Sequence, residues 1–270
     1  MQLTIALGQM DVQMGEPQAN VRKAAQFAAQ AARSGADLLL LPELWSTGYD
    51  LQRAAVYATA VTTGIFAETA VLARTHHLAI VGSCLSDLGE GRVGNTAVYH
   101  NPNGKVQAIY SKTHLFRLMD EEKYLTAGDG LTLVETAWGK MGLAICYDLR
   151  FPELFRWYAL HGARLILLPA EWPQPRLAHW RTLLQARAIE NQLFIVACNR
   201  VGTSNGQTFF GHSCVIDPWG AVVLEMGEEK GMETAVLDLS LVDSVRHKIP
   251  VFADRRPDIY GTNLPQEGHL

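Results

Sequence analysis

The chain has 270 residues, of which 48% are hydrophobic and 19% are charged, and its formal net charge is −4. This length suits one large domain or two small ones, and the apolar content excludes a largely disordered chain. The negative charge argues against nucleic acid as a partner, because a phosphate-binding surface usually needs a net basic face.

The number and spacing of the cysteines and the first residues of the chain indicate the cellular compartment in which the protein is expected to work. The four cysteines form no CxxC pair, and a disulfide framework is sparse for this length, so a reducing, cytoplasmic setting is the simpler expectation. The N-terminus has neither a cationic segment nor a long apolar one, which predicts a first strand rather than a signal peptide. No apolar run approaches the roughly 18 residues of a membrane span, so we expect no membrane association.

Strand and helix patterns alternate along the chain. Short apolar runs and turn residues predict strands at residues 3–9, 37–41, 78–84, 93–100, 106–110, 131–136, 140–145, 164–168, 193–198, 214–217, 221–225 and 233–237. Apolar residues at helical spacing predict helices at residues 19–33, 65–76, 153–161 and 177–190.

The order of these elements predicts an α/β fold. Crossover helices require parallel strands, while the turn sequences at residues 101–104 (NPNG) and 217–220 (DPWG) predict antiparallel hairpins. We therefore expect two mixed sheets packed face to face with helices outside. No linker or repeat is visible, so residues 1–270 are expected to form a single domain. Its proline-containing tail from about residue 249 is expected to lie over a surface of the chain or over a partner subunit.

One cysteine stands at the end of a predicted strand. The apolar run at residues 141–145 leads into Cys146, and Pro152 is placed to begin the next helix. A sulfur at the mouth of a sheet and near a helix N-terminus has two features that favour a reactive thiolate. The alternative is a buried apolar role, which is what most free cysteines have. This stretch alone does not decide between the two.

Two ionisable residues also follow predicted strands. Glu43 comes directly after an apolar strand, where its carboxylate is placed to act as a general base for a thiol; a solvated loop acid is the alternative. Lys112 follows strand 106–110, where a fixed ammonium can stabilise an oxyanion or a thiolate, or can be an ordinary surface lysine. Glu121 and Glu122 come soon after and are candidates to orient Lys112 or a substrate.

Histidine is the rival partner for a nucleophilic cysteine. His114, His179 and His212 are available, and a Cys–His pair would form a papain-like or transferase site. The sequence around these histidines indicates a functional position less clearly than the sequence around Glu43 or Lys112 does. The sequence contains no metal-ligand spacing, phosphate loop or dinucleotide fingerprint, so neither a metal nor a nucleotide is expected.

Three separated motifs together resemble those of the nitrilase superfamily, the carbon–nitrogen hydrolases. They are residues 42–43 (PE), 111–114 (SKTH) and 145–148 (ICYD), and the similarity extends from about residue 6 to residue 220. The resemblance implies a four-layer α-β-β-α sandwich and homodimers or larger homo-oligomers. It also implies hydrolysis without any metal or organic cofactor.

The resemblance implies a role for each matching residue. Cys146 is expected to be the nucleophile, and Glu43 the general base that takes its proton and then protonates the leaving ammonia. Lys112 is expected to stabilise the tetrahedral intermediate, with the backbone N–H of Tyr147 as a second donor. The family's second glutamate falls in the loop before a glycine, and this spacing favours Glu121.

Further stretches resemble the omega-amidase branch of the superfamily: residues 146–153 (CYDLRFPE), 169–173 (PAEWP), 186–192 (ARAIENQ) and 199–202 (NRVG). That branch hydrolyses the terminal amide of 2-oxo acid amides such as 2-oxoglutaramate, and it includes relatives acting on deaminated glutathione. The alternative within the same chemistry is an N-carbamoyl amine or amino acid amidohydrolase, followed by a nitrilase. An alternative from another class is a non-catalytic interaction protein on this fold.

A 2-oxo acid amide carries a carboxylate far from the scissile bond, which predicts a cation other than Lys112 in the pocket. Guanidinium binds carboxylate as a bidentate fork, so Arg150 and Arg176 are the candidates. The resemblance supports Arg150, whereas Arg176 is selected by its position in the loop before a helix. For either arginine the alternative is a structural ion pair with a residue such as Asp148.

Three further residues are expected near the substrate. Tyr49 and Trp172 are candidates for apolar pocket walls, or for ordinary core aromatics. Glu171 departs from related sequences, which commonly carry asparagine there, and an acid would repel a substrate carboxylate. Glu171 therefore either points away, pairs with an arginine, or indicates a substrate that is not an ordinary oxo acid.

Overall fold

The computed structural model describes residues 1–260. Its strands are β1 (Gln2–Gln9), β2 (Leu38–Leu40), β3 (Ala79–Gly89), β4 (Arg92–His100), β5 (Val106–Ser111), β6 (Leu133–Thr136), β7 (Gly139–Leu143), β8 (Leu165–Ala170), β9 (Phe194–Asn199), β10 (Val201–Ser204), β11 (Gln207–Phe210), β12 (Cys214–Ile216), β13 (Val222–Glu225) and β14 (Gly231–Asp238). Its α-helices are α1 (Pro17–Arg33), α2 (Ala54–Tyr57), α3 (Gly64–His76), α4 (Glu121–Tyr124), α5 (Pro152–Leu160), α6 (Leu177–Asn191), α7 (Ser240–Lys248) and α8 (Pro257–Tyr260).

Two 6-stranded mixed sheets form the middle of the molecule. The first has the order β14-β1-β2-β3-β4-β5, and the second has the order β13-β12-β9-β8-β7-β6. Strands joined through helices are parallel, namely β1 to β3 and β7 to β9, while hairpin partners such as β3 and β4 are antiparallel. The parallel strands of both sheets end near each other, and this edge carries the candidate site.

Layered apolar clusters hold the sheets and helices together. Ile5 and Leu40 of the first sheet belong to the same buried cluster as Leu167 and Val196 of the second. Helices α1 and α3 cover the outer face of the first sheet, and α5 and α6 lie against the second. The predicted four-layer α-β-β-α sandwich is therefore confirmed.

Strand β2 shows why the sequence pattern indicates position in the fold. Leu38, Leu39 and Leu40 are all fully buried, because this central parallel strand has the other sheet on one face and helices on the other. A strand covered on both faces reads as a continuous apolar run rather than an alternating one. The residues immediately after it, Pro42 and Glu43, are consequently delivered to the buried edge of the sheet.

The sequence prediction missed several short elements. The hairpin β10–β11 escaped because its strands are short and partly exposed, with the polar turn Asn205–Gly206 between them. Helices α2, α4, α7 and α8 were also not predicted. The strand predicted to end at residue 145 ends at Leu143, because the chain bends there towards a tight turn.

The predicted tail begins with residues that pack on the chain itself. Phe252 lies beneath the guanidinium groups of Arg156 and Arg246, which are 5.3 and 5.2 Å from the centre of its ring. The part of the tail after residue 260 lies outside the described residues. None of the helices in residues 1–260 combines the length and the apolar character that crossing a membrane would require.

Candidate active site

The chain bends sharply at the candidate nucleophile. Cys146 has a φ of 47° and begins a 3₁₀ helix, Cys146–Arg150, that directly precedes α5. Left-handed backbone is rare for residues other than glycine, and such strain is concentrated at functional sites. The bend leaves the side chain buried at 3% exposure and directs it to the edge where the two sheets meet.

A buried carboxylate holds this bend against the neighbouring sheet. Asp148 accepts a hydrogen bond from the Ile145 N–H at 2.8 Å and one from the Tyr110 hydroxyl at 2.7 Å. It also accepts the His114 N–H at 3.2 Å and lies 2.7 Å from Nδ1 of the same residue. Asp148 therefore ties the turn that carries Cys146 to the loop that follows Lys112.

Lys112 lies between two buried glutamates. Its Nζ is 2.8 Å from Oε1 of Glu43 and 2.6 Å from Oε1 of Glu121, and all three side chains are fully buried. Glu43 also accepts hydrogen bonds from Nδ2 of Asn95 at 2.8 Å and from the backbone N–H of Glu171 at 3.0 Å. These contacts leave the Glu43 carboxylate little freedom to move.

The two candidates for the second glutamate are in different environments. Glu121 is buried and accepts the Tyr49 hydroxyl at 2.5 Å and the Phe116 N–H at 2.7 Å, in addition to Lys112. Glu122 is exposed to solvent. The geometry brings only Glu121 to Lys112, and the Tyr49 hydroxyl adds a polar contact that the sequence did not predict.

Burial and charge determine the protonation of the candidate nucleophile. Burial raises the pKa of the Cys146 thiol well above its usual value, and the charge and hydrogen bond of Glu43 raise it further, against the opposing charge of Lys112. Burial therefore opposes the two features of this strand end that favour a thiolate. The free site holds a thiol beside a carboxylate that can take its proton when attack begins.

Lys112 remains charged despite its burial. Desolvation lowers the pKa of its ammonium, but Glu121 and Glu43 more than offset this, so the pKa is raised well above its usual value. A permanent cation beside a thiol suits the stabilisation of negative charge that develops during a reaction.

A narrow cleft opens beside Cys146. It is lined by Phe116, Cys146, Tyr147, Arg150, Glu171, Trp172, Pro173 and Arg176. The Arg150 guanidinium lies 4.9 Å from the ring centre of Trp172, and that of Arg176 lies 5.7 Å from the ring centre of Phe116. Within residues 1–260 neither arginine forms an ion pair with a carboxylate, so the alternative of a structural pair with Asp148 is not what the structure contains.

Glu171 pairs with an arginine that the sequence analysis did not single out. Its Oε2 is 3.4 Å from Nη1 of Arg200, and both side chains are fully buried. Burial, with the charge of Glu43, raises the pKa of Glu171 to about 8 even though Arg200 opposes the shift. Glu171, Arg200 and Tyr49 also line a neighbouring cavity of about 300 Å³.

The histidines considered as rival partners lie elsewhere. His114 contacts Asp148 and stacks on Phe151 with 3.7 Å between ring centres. Nδ1 of the exposed His179 is 3.4 Å from Arg150, and His212 pairs with Glu225 at 2.9 Å. The structure therefore brings glutamate and lysine, rather than histidine, to the cysteine.

Several residues of the site escaped sequence reasoning. Asn199 accepts the Trp172 N–H at 2.7 Å and donates to the Gly211 carbonyl at 2.9 Å, which fixes the loop after β8. Asn95 binds Glu43, and its position as a polar residue in the middle of a buried strand was a signal available in the sequence. Phe116 lines the cleft, but nothing in the sequence around it indicated a position in the site.

This combination of fold and site defines a class of hydrolases. The chain belongs to the carbon–nitrogen hydrolase family, whose characteristic sequence matches residues 4–247. The predictions of the nitrilase superfamily and of an amidohydrolase are thereby confirmed.

Particular members of the family resemble this chain over nearly its whole length. A protein of Bacillus subtilis named 2-oxoglutaramate amidase is 42% identical over 260 residues, covering 96% of this chain and 100% of that protein. The structure of XC1258 from Xanthomonas campestris, described with an arsenic adduct in its active site, has a TM-score of 0.89 at 30% identity and covers 95% of this chain and 98% of its own.

A third relative is an amidase from Nesterenkonia sp. AN1. The structure of one mutant of that amidase shows covalent addition of the acetamide moiety of fluoroacetamide at the active-site cysteine. It has a TM-score of 0.85 at 29% identity and covers 96% of this chain and 95% of that one.

Proposed function

We propose that this protein is an omega-amidase, which hydrolyses the terminal amide of a 2-oxo acid amide such as 2-oxoglutaramate to the acid and ammonia. The observation that carries the proposal is the pair of arginines, Arg150 and Arg176, that lie without carboxylate partners in the same cleft as Cys146 within residues 1–260. A cleft that combines a thiol with free guanidinium groups suits an amide whose other end is a carboxylate. The similarity to the 2-oxoglutaramate amidase of Bacillus subtilis supports the same substrate.

The first half of the reaction forms a thioester. Glu43 takes the thiol proton of Cys146 as the sulfur attacks the amide carbon, and the carbonyl oxygen becomes an oxyanion. Lys112 and the backbone N–H of Tyr147 stabilise that oxyanion. A positioned donor of this kind is typically worth about 3 kcal/mol in the transition state.

The second half regenerates the enzyme. The protonated Glu43 gives its proton to the leaving nitrogen, so that ammonia departs when the C–N bond breaks. Glu43 then takes a proton from water as the water oxygen attacks the thioester carbon, and it returns that proton to the Cys146 sulfur as the C–S bond breaks and the acid leaves. Glu121 keeps Lys112 charged and in position throughout.

The substrate carboxylate is bound by the arginines at the other end of the cleft. Arg150 and Arg176 are half-buried, so their charges are less screened than on an open surface and a carboxylate gains more from pairing with them. Their contacts with the rings of Trp172 and Phe116 restrict the guanidinium groups, which can bind a carboxylate through two hydrogen bonds.

A substrate panel scored by ammonia release tests the proposal. We expect turnover of 2-oxoglutaramate with a higher kcat/KM than for N-carbamoyl amino acids, N-carbamoyl amines or aliphatic nitriles. Preference for a carbamoyl compound would overturn the omega-amidase assignment and leave the hydrolase family intact. No turnover of any amide, carbamoyl compound or nitrile would overturn the enzymatic role.

We propose three further properties on narrower support. Residues 1–270 form a single domain with a C-terminal tail, which is consistent with the apolar cluster shared by both sheets. The protein forms homodimers or larger homo-oligomers, as the superfamily resemblance implies, and light scattering after size-exclusion chromatography tests this. It works in the cytoplasm, in keeping with four cysteines that are all free.

A further inference from the structure

Glu171 is a buried acid that the proposed reaction does not use. Its side chain is fully buried, yet Oε1 has no hydrogen-bond partner within residues 1–260. Buried polar atoms in native proteins almost always have a partner, and an exception calls for an explanation. A substrate that supplies the missing partner is one such explanation, because Glu171 lines the cleft of Cys146.

The position of Glu171 identifies the part of the substrate that it faces. Its backbone N–H donates to Oε2 of Glu43 at 3.0 Å, so one side of the residue touches the reaction centre. The residue also lines the cleft that contains Arg150 and Arg176. An amide bound with its carbonyl at Cys146 and its carboxylate at the arginines therefore presents the intervening atoms to Glu171.

The surroundings favour the neutral form of this acid. The charged and titratable groups that face it are Arg200, Glu43, Lys112, Cys146, Arg150 and Arg176. Tyr49 lines the neighbouring cavity together with Glu171. Burial raises the pKa of Glu171 to about 8, and the negative Glu43 adds to the effect of burial.

Arg200 does not fully compensate for this burial. Its Nη2 donates to the Val12 carbonyl at 2.6 Å and its Nε to the Val201 carbonyl at 3.1 Å, so two of its three nitrogens donate to backbone carbonyls elsewhere. Its contact with Glu171 is the longest of these, at 3.4 Å. At neutral pH the Glu171 side chain therefore retains a proton that it can donate.

We propose that Glu171 determines substrate specificity by donating a hydrogen bond to a carbonyl oxygen between the scissile amide and the distal carboxylate. The inference rests on the proposed omega-amidase function and extends it to recognition of the 2-oxo group. A neutral acid also explains how a glutamate coexists with a substrate carboxylate, because it exerts no charge repulsion.

Two substitutions separate hydrogen bonding from charge. Glu171→Gln keeps a donor of the same shape and cannot ionise, whereas Glu171→Leu keeps the approximate size and loses the donor. Each variant is assayed with 2-oxoglutaramate and with glutaramate, which has the same carboxylate and amide but lacks the 2-oxo group. The ratio of the two kcat/KM values cancels any general damage to the reaction centre.

We expect the wild-type enzyme to prefer 2-oxoglutaramate over glutaramate. Glu171→Leu should reduce that preference about tenfold, which is the scale of one hydrogen bond, and Glu171→Gln should retain most of it. Above a pH of about 8 the wild-type KM for 2-oxoglutaramate should rise as Glu171 ionises, because the raised pKa keeps it neutral only below that value. The KM of Glu171→Gln should stay constant over the same range.

The outcomes distinguish this inference from the proposed function. Equal wild-type activity on both substrates, an unchanged preference in Glu171→Leu, or the same KM profile in Glu171→Gln would overturn the role of Glu171 and leave the omega-amidase assignment in place. Failure to hydrolyse either substrate, with activity on carbamoyl compounds, would overturn the assignment itself. Circular dichroism and stoichiometric alkylation of Cys146 by iodoacetamide establish that each variant is folded.

Discussion

Two adjoining regions of this molecule are organised in opposite ways. In the reaction centre, Glu43, Lys112 and Glu121 are fully buried, and each has a partner of opposite charge within 2.8 Å. In the neighbouring cleft, Arg150 and Arg176 are half-buried and lack carboxylate partners in the described part of the chain. The charges of the reaction centre are thus paired with one another, while the two arginines of the cleft are not paired with a carboxylate in the described part of the chain.

Under the proposed function, the first region carries out catalysis and the second recognises the substrate. Buried charges that are already paired do not need to reorganise when the oxyanion forms, which is how preorganised sites lower a barrier. Unpaired cations and an unpartnered carboxyl oxygen, by contrast, gain their partners only from a ligand that supplies them. We therefore expect substitutions in the reaction centre to lower kcat for every amide, and those in the cleft to change KM selectively.

Cys146→Ala should have the largest effect. It removes the atom that we propose forms the thioester, and loss of a nucleophile of this kind lowers kcat by at least about 10⁴-fold. Cys198→Ala is the matched control, because Cys198 is equally buried but lies on β9 outside the cleft. Steady-state ammonia release measures both. Similar activity in the two variants would show that Cys146 is an apolar core residue.

Glu121→Gln should have the next largest effect. The substitution removes one of the two carboxylates that raise the pKa of Lys112, and it weakens the positioning of the cation that we propose stabilises the oxyanion. We expect kcat to fall about 10²-fold or more, in line with the loss of one oxyanion donor. KM should change little for both anionic and neutral amides.

Glu122→Gln is the control for this substitution. Glu122 is adjacent in sequence but exposed. Substitutions of surface residues that are neither buried nor part of a paired network usually change stability by less than about 0.5 kcal/mol. A larger loss of kcat in Glu122→Gln than in Glu121→Gln would reverse the assignment of the second glutamate.

Asp148→Asn should follow, acting through position rather than chemistry. The carboxylate accepts hydrogen bonds from Ile145, Tyr110 and His114, and asparagine has only one oxygen to replace the two. We expect the turn carrying Cys146 to shift, with a fall in kcat of up to about 10²-fold from misalignment. Urea unfolding should show a loss of about 1–3 kcal/mol. Unchanged kcat with reduced stability would limit Asp148 to a structural role.

The residues of the site differ in how far their positions could be predicted from the sequence. Cys146, Glu43 and Lys112 each follow a recognisable strand, so their meeting at one sheet edge could be predicted once their order matched a family. Asp148 could not be interpreted in the same way, since its partner Tyr110 is far away in the sequence and reaches it only because the two sheets pack face to face.

Long-range pairing and burial explain the remaining differences. Glu171 was recognised as unusual, but its partner Arg200 lies on a different segment, and nothing in the spacing predicts their contact. The protonated state of Cys146 likewise depends on complete burial beside Glu43. A strand end next to a helix predicted a reactive position but could not indicate how much water would be excluded from it.

Arg150→Ala should have the smallest effect and the most selective one. The guanidinium is expected to bind the substrate carboxylate together with Arg176, so its loss should raise KM for 2-oxoglutaramate about tenfold, the scale of one charge-assisted hydrogen bond. KM for 4-oxopentanamide, which has the oxo group and amide but no carboxylate, should stay within the error of measurement. Because Arg150 makes no ion pair in residues 1–260, its removal leaves no buried carboxylate without a partner, and kcat should be retained. An equal rise in KM for both substrates would show that Arg150 shapes the cleft by packing on Trp172 and does not bind the substrate carboxylate.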